Sequence, residues 1–123
     1  MKKIFAATVV WIFLIPSPAN AHAQFTSTFP KSKSVVKFWP STVWVEFDGN
    51  LIDIKSATVN VLTVKDSSGR QIDVKDSAVS GSRLTVSTPR VPKPGVYKVS
   101  WRVVSEDGHP VSSSFSFSYI PKK

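Results

Sequence analysis

Two histidines, at the two ends of the sequence, are its best candidates for chemistry. The chain contains only His22 and His109. If His22 is the first residue of the mature chain, its α-amine and ring Nδ1 form a chelating pair, and His109 adds a third nitrogen. Nitrogen-rich tetragonal coordination is what Cu(II) prefers. Asp107, two residues before His109, could supply a further position, so the candidate metal ligands are His22, Asp107 and His109.

A simpler explanation of the same residues stays open at this point. Asp107-Gly108 is a common hairpin turn, and an isolated histidine in a loop is usually solvated. The two histidines are 87 positions apart, so they do not form a local metal motif. Spacing alone leaves both a copper site and a metal-free interaction module possible.

The start of the chain has the layout of a cleavable secretory signal. Lysines at positions 2 and 3 precede an apolar run over 4–15, and Ala19-Asn20-Ala21 follows as an A-x-A cleavage site. A run of 12 residues is shorter than the roughly 20 that cross a bilayer core. We therefore predict a signal peptide at 1–21 and one domain at 22–123. The domain is expected to be periplasmic, with no stable membrane insertion after cleavage.

A second cleavage motif leaves the mature N-terminus open. Ala21-His22-Ala23 also has the A-x-A form, and cleavage there would remove His22 and leave Gln24 first. In that case a metal-free immunoglobulin-like module is the better interpretation.

Composition excludes several classes of protein. The absence of cysteine excludes disulfides, thiolate metal sites and cysteine nucleophiles. The 16 basic and 8 acidic residues give a net charge of +8, with a local cluster at Lys31, Lys33 and Lys37 that suits a solvated face, an anionic lipid or a partner. No Ser-His-Asp arrangement is evident, and the sequence lacks the interleaved basic and aromatic residues typical of nucleic-acid binding.

Period-two alternation predicts an all-β domain. Predicted strands cover 42–47, 57–64, 83–87, 95–103 and 114–119, with Gly- and Pro-containing turns between them. Removing 21 residues from 123 leaves 102, which accommodates about seven short strands. We expect an immunoglobulin-like Greek-key β-sandwich or barrel, with Trp101 in its core.

Two segments resemble a known family. Residues 96–111, with the run Ser105-Glu106-Asp107-Gly108-His109-Pro110, are similar to the Y-x-V-x-W-x-x-x-S-x-D-G-H-P segment of CopC-like periplasmic copper-resistance proteins. His22-Ala23, with Pro30 eight residues after His22, is similar to the opening of that family. The resemblance covers nearly all of the 102 residues, with departures such as Lys33 where the family has Gly in its first turn.

The resemblance implies a function as well as a fold. It implies a seven-stranded Greek-key domain that binds one Cu(II) per chain through the amine and imidazole of His22, through His109 and through Asp107. It further implies a binding protein, not an enzyme, that sequesters or delivers copper in resistance and homeostasis. A CopD-type inner-membrane copper transporter is the implied partner. The methionine-rich Cu(I) site of some members is not expected, because the only methionine is Met1.

An enzyme alternative uses the same N-terminal histidine. Lytic polysaccharide monooxygenases are copper oxygenases that hold copper in a histidine brace of this kind. Such enzymes need an open coordination position and a substrate-binding face, and the acidic Asp107 beside His109 suits a closed site better.

Overall fold

The computed structural model describes residues 23–89 and 92–122, which form two packed β-sheets. The predicted signal peptide and His22 lie outside these residues. The strands are β1 (Phe25–Phe29), β2 (Val35–Val36), β3 (Thr42–Phe47), β4 (Val61–Lys65), β5 (Ala78–Ser80), β6 (Arg83–Ser87), β7 (Gly95–Val104) and β8 (Pro110–Tyr119).

The two sheets are built by long-range pairing. One has the order β1-β3-β6-β5 and the other β2-β8-β7-β4. The pair β2–β8 is parallel, and the other paired strands are antiparallel. The predicted all-β sandwich is confirmed, with eight strands where about seven were expected. Over 23–89 and 92–122 no helix is long and apolar enough to span a membrane.

Alternation along the strands decides which side chains form the core. Val43, Val45 and Phe47 of β3 are buried, while the residues between them face outward. Trp101 is buried in β7, as predicted, among alternating apolar residues of the same strand. Full burial of a Val, Leu or Phe side chain contributes roughly 1.5–3 kcal/mol, so this interior supplies the main stabilisation of the fold.

The strand bounds differ from prediction where composition and alternation disagree. The segment 57–64 is rich in β-branched residues, but its first part is loop and β4 begins only at Val61. Burial alternates only from Asn60 onward, and a strand needs that alternation to bury one face. The last strand begins at Pro110 instead of Ser114, because the whole of β8 pairs with β7.

The β7–β8 hairpin sets the long axis of the domain. Its register runs from Gly95↔Tyr119 at one end to Val104↔Pro110 at the other. Asp107 and His109 therefore lie in the turn at one end of the sandwich. A strand of ten residues is about 30 Å long, so Tyr119 lies at the opposite end.

Candidate metal centre

The turn that carries Asp107 and His109 closes through its own backbone. The Gly108 N–H donates to the Ser105 carbonyl at 2.9 Å. Gly108 has a φ of +83°, in the left-handed region that residues with a Cβ adopt only at a cost. The glycine thereby lets the chain reverse between the two candidate ligand residues.

Asp107 is the centre of the hydrogen bonding in this turn. Its Oδ1 accepts from the Ser105 hydroxyl and from the His109 backbone N–H, the latter at 3.1 Å. Its Oδ2 lies 3.2 Å from Nδ1 of His109. These donors, the Ser105 hydroxyl first and then the His109 backbone and ring, lower the pKa of Asp107 to about 2. The carboxylate is therefore ionised at neutral pH.

The contact with Asp107 orients the ring of His109. An ionised carboxylate can only accept a hydrogen bond, so Nδ1 carries the hydrogen and donates it to Asp107, and Nε2 carries the lone pair. The side chain of His109 is 64% exposed, which allows an ion to approach it from solvent. A carboxylate behind a metal-binding imidazole is a recurrent arrangement that fixes the tautomer and strengthens the nitrogen donor.

The base of the turn is held by buried polar groups. Ser105 is buried and forms an isolated bridge with Leu51. Asn60 is also buried. Its amide donates to the Ile52 carbonyl at 2.5 Å and accepts from the Val104 N–H at 2.8 Å. These buried polar groups have hydrogen-bond partners in the interior. The end of β7 is therefore held in place as far as Ser105, where the turn begins.

The chain that follows His22 is anchored at the same end of the sandwich. Ala23 is 5% exposed and belongs to the core cluster. The Gln24 N–H donates to Asp48 Oδ1 at 3.0 Å, and the Asp48 N–H donates to the Gln24 carbonyl at 2.8 Å. Three residues later in the same connection, Leu51 pairs with Ser105. Ala23 and the Ser105–His109 turn are therefore joined through one short connection.

Of the three candidate ligands, the structure brings two together. Asp107 and His109 are in direct contact, whereas His22 falls outside 23–89 and 92–122. Within those ranges no group of three or more His, Asp or Glu side chains is arranged to hold a metal. Sequence reasoning assigned no role to Ser105. Its position two residues before Asp107, where a hydroxyl can reach the carboxylate, was the available signal.

Comparison with known proteins identifies the family. The CopC domain matches residues 25–120, which include all eight strands and the Asp107–His109 turn. The chain belongs to the CopC family. The resemblance inferred from the D-G-H-P turn is confirmed.

Relatives and solved structures agree with this assignment. The chain is 32% identical over 108 residues to copper resistance protein C of Pseudomonas syringae pv. tomato, covering 85% of each. It is 26% identical over 113 residues to copper transport protein CutJ of Bacillus subtilis, covering 89% of this chain and 20% of that relative. The chain thus spans about a fifth of that relative's length. The crystal structure of CopC from Methylosinus trichosporium OB3b superposes with a TM-score of 0.73 at 26% identity, covering 83% of this chain and 97% of that one.

Proposed function

We propose that this CopC-family chain is an exported protein that binds one Cu(II) ion and sequesters or delivers it. The proposed ligands are the α-amine and imidazole of His22 and the imidazole of His109, with Asp107 beside them. In this proposal residues 1–21 are removed on export to the periplasm, and His22 becomes the first residue.

The observation that carries the proposal is the placement of His109. Asp107 holds its ring at Nδ1, and the turn lies at the end of the sandwich where Ala23 is anchored. A mature chain beginning at His22 would start one residue before that anchor. Family membership and the name of the Pseudomonas syringae relative both support copper as the ion.

The donor chemistry favours Cu(II) over Cu(I). The proposed donors are three nitrogens with an adjacent carboxylate, which suit Cu(II), whereas Cu(I) prefers thiolates and thioethers. The sequence has no cysteine, and its single methionine is Met1. The ionised Asp107 adds negative charge close to His109, which stabilises a divalent cation there.

A membrane copper transporter of the CopD type is the proposed partner. Support comes from the Bacillus subtilis copper transport protein, in which a segment similar to this chain makes up about a fifth of the length. Because a segment similar to this chain forms part of a protein named for copper transport, we infer that the separate chain works beside a copper transporter.

We propose binding without catalysis, and the oxygenase alternative has its own test. The carboxylate of Asp107 beside His109 favours a closed coordination sphere over one open to oxygen. The copper-loaded protein is expected to release no oxidised sugars from polysaccharide in the presence of ascorbate. Oxidised products above those of a copper-only control would show that the protein is an enzyme and not a carrier.

The experiment that tests the site compares two preparations of the same domain. One is exported and processed so that it begins at His22, and the other carries an additional Met before His22. The extension converts the α-amine into an amide, which is not a basic donor, so Cu(II) affinity is expected to fall by at least about 100-fold. Thermal stability without copper is expected to be equal, because the core begins at Ala23.

The copper-induced rise in melting temperature gives a second readout. Bound copper stabilises the folded state by RT ln(1 + [L]/Kd), and this free energy raises the melting temperature. The rise is expected for the processed protein and is expected to be nearly lost for the extended one. Intact mass of the exported protein checks cleavage after Ala21 against cleavage after Ala23. Equal Cu(II) affinity of the two preparations would exclude the α-amine as a ligand.

A further inference from the structure

A surface far from the candidate metal centre combines exposed apolar and basic side chains. Phe38 is 82% exposed, Val35 59% and Ile120 56%. Lys31, Lys33, Lys37 and Lys122 flank these residues in sequence and are also exposed. We call these seven residues the basic edge.

Backbone pairing shows that the two segments of the basic edge run side by side. Val35 pairs with Ser118, and the Ile120 N–H donates to the Val36 carbonyl at 3.0 Å. The Lys33 N–H donates to the Ser116 carbonyl at 2.7 Å. The segments 31–38 and 116–122 therefore form one continuous surface at the outer edge of the sheet β2-β8-β7-β4.

The excess positive charge of the domain is concentrated here. Neither 22–45 nor 108–123 contains an acidic residue, and together they contain five lysines. The remainder, 46–107, has nine basic and eight acidic residues and is nearly neutral. Among the residues that the structure describes, none of the four lysines of the basic edge forms an ion pair. Their charges are available to an external anion.

Protection of a sheet edge explains the lysines of the basic edge but not its exposed apolar side chains. The strand β2 is short and lies at a sheet edge, where lysines discourage pairing with another chain. Exposed aromatic and aliphatic side chains have the opposite effect, since they favour association. The exposure of Phe38 and Val35 beside the lysines therefore indicates a binding partner that offers both an apolar region and negative charge.

We propose that the basic edge docks the protein on a membrane that contains anionic phospholipid. Lysines near such a surface gain from the negative potential of the headgroups, and an aromatic side chain inserts at the boundary with the acyl chains. Neither contribution suffices alone, and stable attachment generally takes two signals of this kind. The basic edge offers both on one surface.

Docking at this edge leaves the candidate metal centre exposed to solution. The parallel pairing places β2 beside Ser118 and Tyr119, at the end of β8 remote from His109. Along β8 the basic edge begins beside Ser116, six positions beyond Pro110, so at about 3.3 Å per residue the two surfaces are about 20–30 Å apart. Membrane attachment and copper binding are therefore independent and can be measured separately.

Co-sedimentation with lipid vesicles tests the proposal. The mature protein is mixed at low salt with vesicles of phosphatidylglycerol and phosphatidylethanolamine or with vesicles of phosphatidylcholine alone. Binding is expected only to the anionic vesicles and is expected to be lost at 0.5 M NaCl, because salt screens the lysines. Lys31→Ser with Lys37→Ser is expected to lower the partition coefficient about 25-fold, at about fivefold per lysine.

Matched variants separate this surface from net charge and general hydrophobicity. Lys55→Ser with Lys65→Ser removes the same charge away from the basic edge and is expected to have a much smaller effect. Phe38→Ser is expected to weaken binding at least fivefold, whereas Ile54→Ser, another exposed apolar residue, leaves it unchanged. A Phe38→Trp variant is expected to shift its emission to shorter wavelength on binding. Circular dichroism and copper titration confirm that each variant is folded.

Several outcomes would overturn the proposal. Absence of binding to anionic vesicles would exclude lipid as the occupant. The proposal would then be wrong even if an acidic protein were found to bind the basic edge. Equal binding to phosphatidylcholine would remove the role of the lysines. An equal loss in the Lys55→Ser, Lys65→Ser control would assign the attraction to net charge and not to this surface.

Discussion

Nδ1 of His109 lies 3.2 Å from Oδ2 of Asp107, two residues away in the same turn. The contact is local, yet it decides which ring nitrogen of His109 can bind a metal. Asp107 is itself held by the Ser105 hydroxyl and the His109 backbone N–H. The turn is thus a small prearranged unit in which a buried serine positions a carboxylate and the carboxylate positions an imidazole.

The first prediction concerns the relative weight of these two residues in copper binding. His109→Ala removes a nitrogen ligand and is expected to lower Cu(II) affinity by at least about 100-fold. Asp107→Asn leaves all three nitrogens and is expected to lower it by about 10-fold, as loss of an orienting carboxylate does. Isothermal titration and electron paramagnetic resonance measure both. Asp53→Asn, at an exposed acid, is the control, and a larger loss for Asp107→Asn than for His109→Ala would contradict this ranking.

Ser105 is expected to act through Asp107. Its hydroxyl is the largest cause of the lowered pKa of Asp107, so Ser105→Ala is expected to raise that pKa towards its ordinary value. Cu(II) affinity is expected to fall by less than about 10-fold, since the ligands remain. Carboxyl chemical shifts followed against pH report the pKa directly. Ser112→Ala, an exposed serine of β8, is the control, and an unchanged Asp107 titration would remove Ser105 from the positioning of the site.

The pH dependence of copper binding distinguishes nitrogen from oxygen ligands. Amines and imidazoles, with ordinary pKa values of about 7.7–8.0 and 6.5, must lose protons before they bind a metal. Apparent Cu(II) affinity is therefore expected to fall more than tenfold per pH unit below about pH 6. The pKa of Asp107 is lowered to about 2, so this carboxylate stays ionised over that range and does not contribute to the loss. An affinity that is constant from pH 7 to pH 5 would indicate carboxylate ligation.

Local patterns predicted much of this protein, and long-range pairing accounts for what they missed. The strands 42–47 and 83–87 were predicted with their observed bounds, because each alternates cleanly between buried and outward residues. The parallel pairing of β2 with β8 joins segments more than 80 residues apart and has no local signature. The candidate metal centre shows the same contrast between local and long-range contacts. Asp107 and His109 are only two positions apart, so their contact could be predicted locally, whereas a partnership with His22 depends on how distant strands pack.

Lys33 occupies a backbone conformation that suits glycine. Its φ is +60°, in the left-handed region where a Cβ costs roughly 1–2 kcal/mol. Lys33→Gly is expected to stabilise the domain by about 0.5–1 kcal/mol after the added flexibility of the unfolded chain is subtracted. Chemical denaturation measures the change. Lys31→Gly, in the same loop but without a positive φ, is expected to destabilise. A loss of stability in Lys33→Gly would show that its side chain makes a compensating contact.

The last prediction concerns stability in acid and rests on the outward face of β3. Glu46 accepts hydrogen bonds from the Ser82 hydroxyl and, at 2.8 Å, from Nε of Arg83, whose guanidinium lies 3.9 Å from the centre of the Trp44 ring. The Ser82 hydrogen bond is the main cause of a lowered pKa of Glu46, and Arg83 is the next. A carboxyl with a lowered pKa in the folded state stabilises the fold above its ordinary pKa, and this contribution is lost as pH falls through the lowered value.

Glu46→Gln is therefore expected to reduce the free energy of unfolding at pH 7 by about 0.5–1 kcal/mol, in the range of partly exposed charged hydrogen bonds. The difference from the unmodified protein is expected to shrink as pH falls below the ordinary glutamate pKa of 4.5, because protonation removes the same charge from Glu46 itself. Denaturation curves of the copper-free protein at pH 7 and pH 3 measure both values. Asp53→Asn controls for the general effect of removing an acid, since Asp53 has no ion pair within the described residues. If the Glu46→Gln difference were the same at pH 3 as at pH 7, packing of the Glu46 side chain against its neighbours would be responsible, and the charge would not.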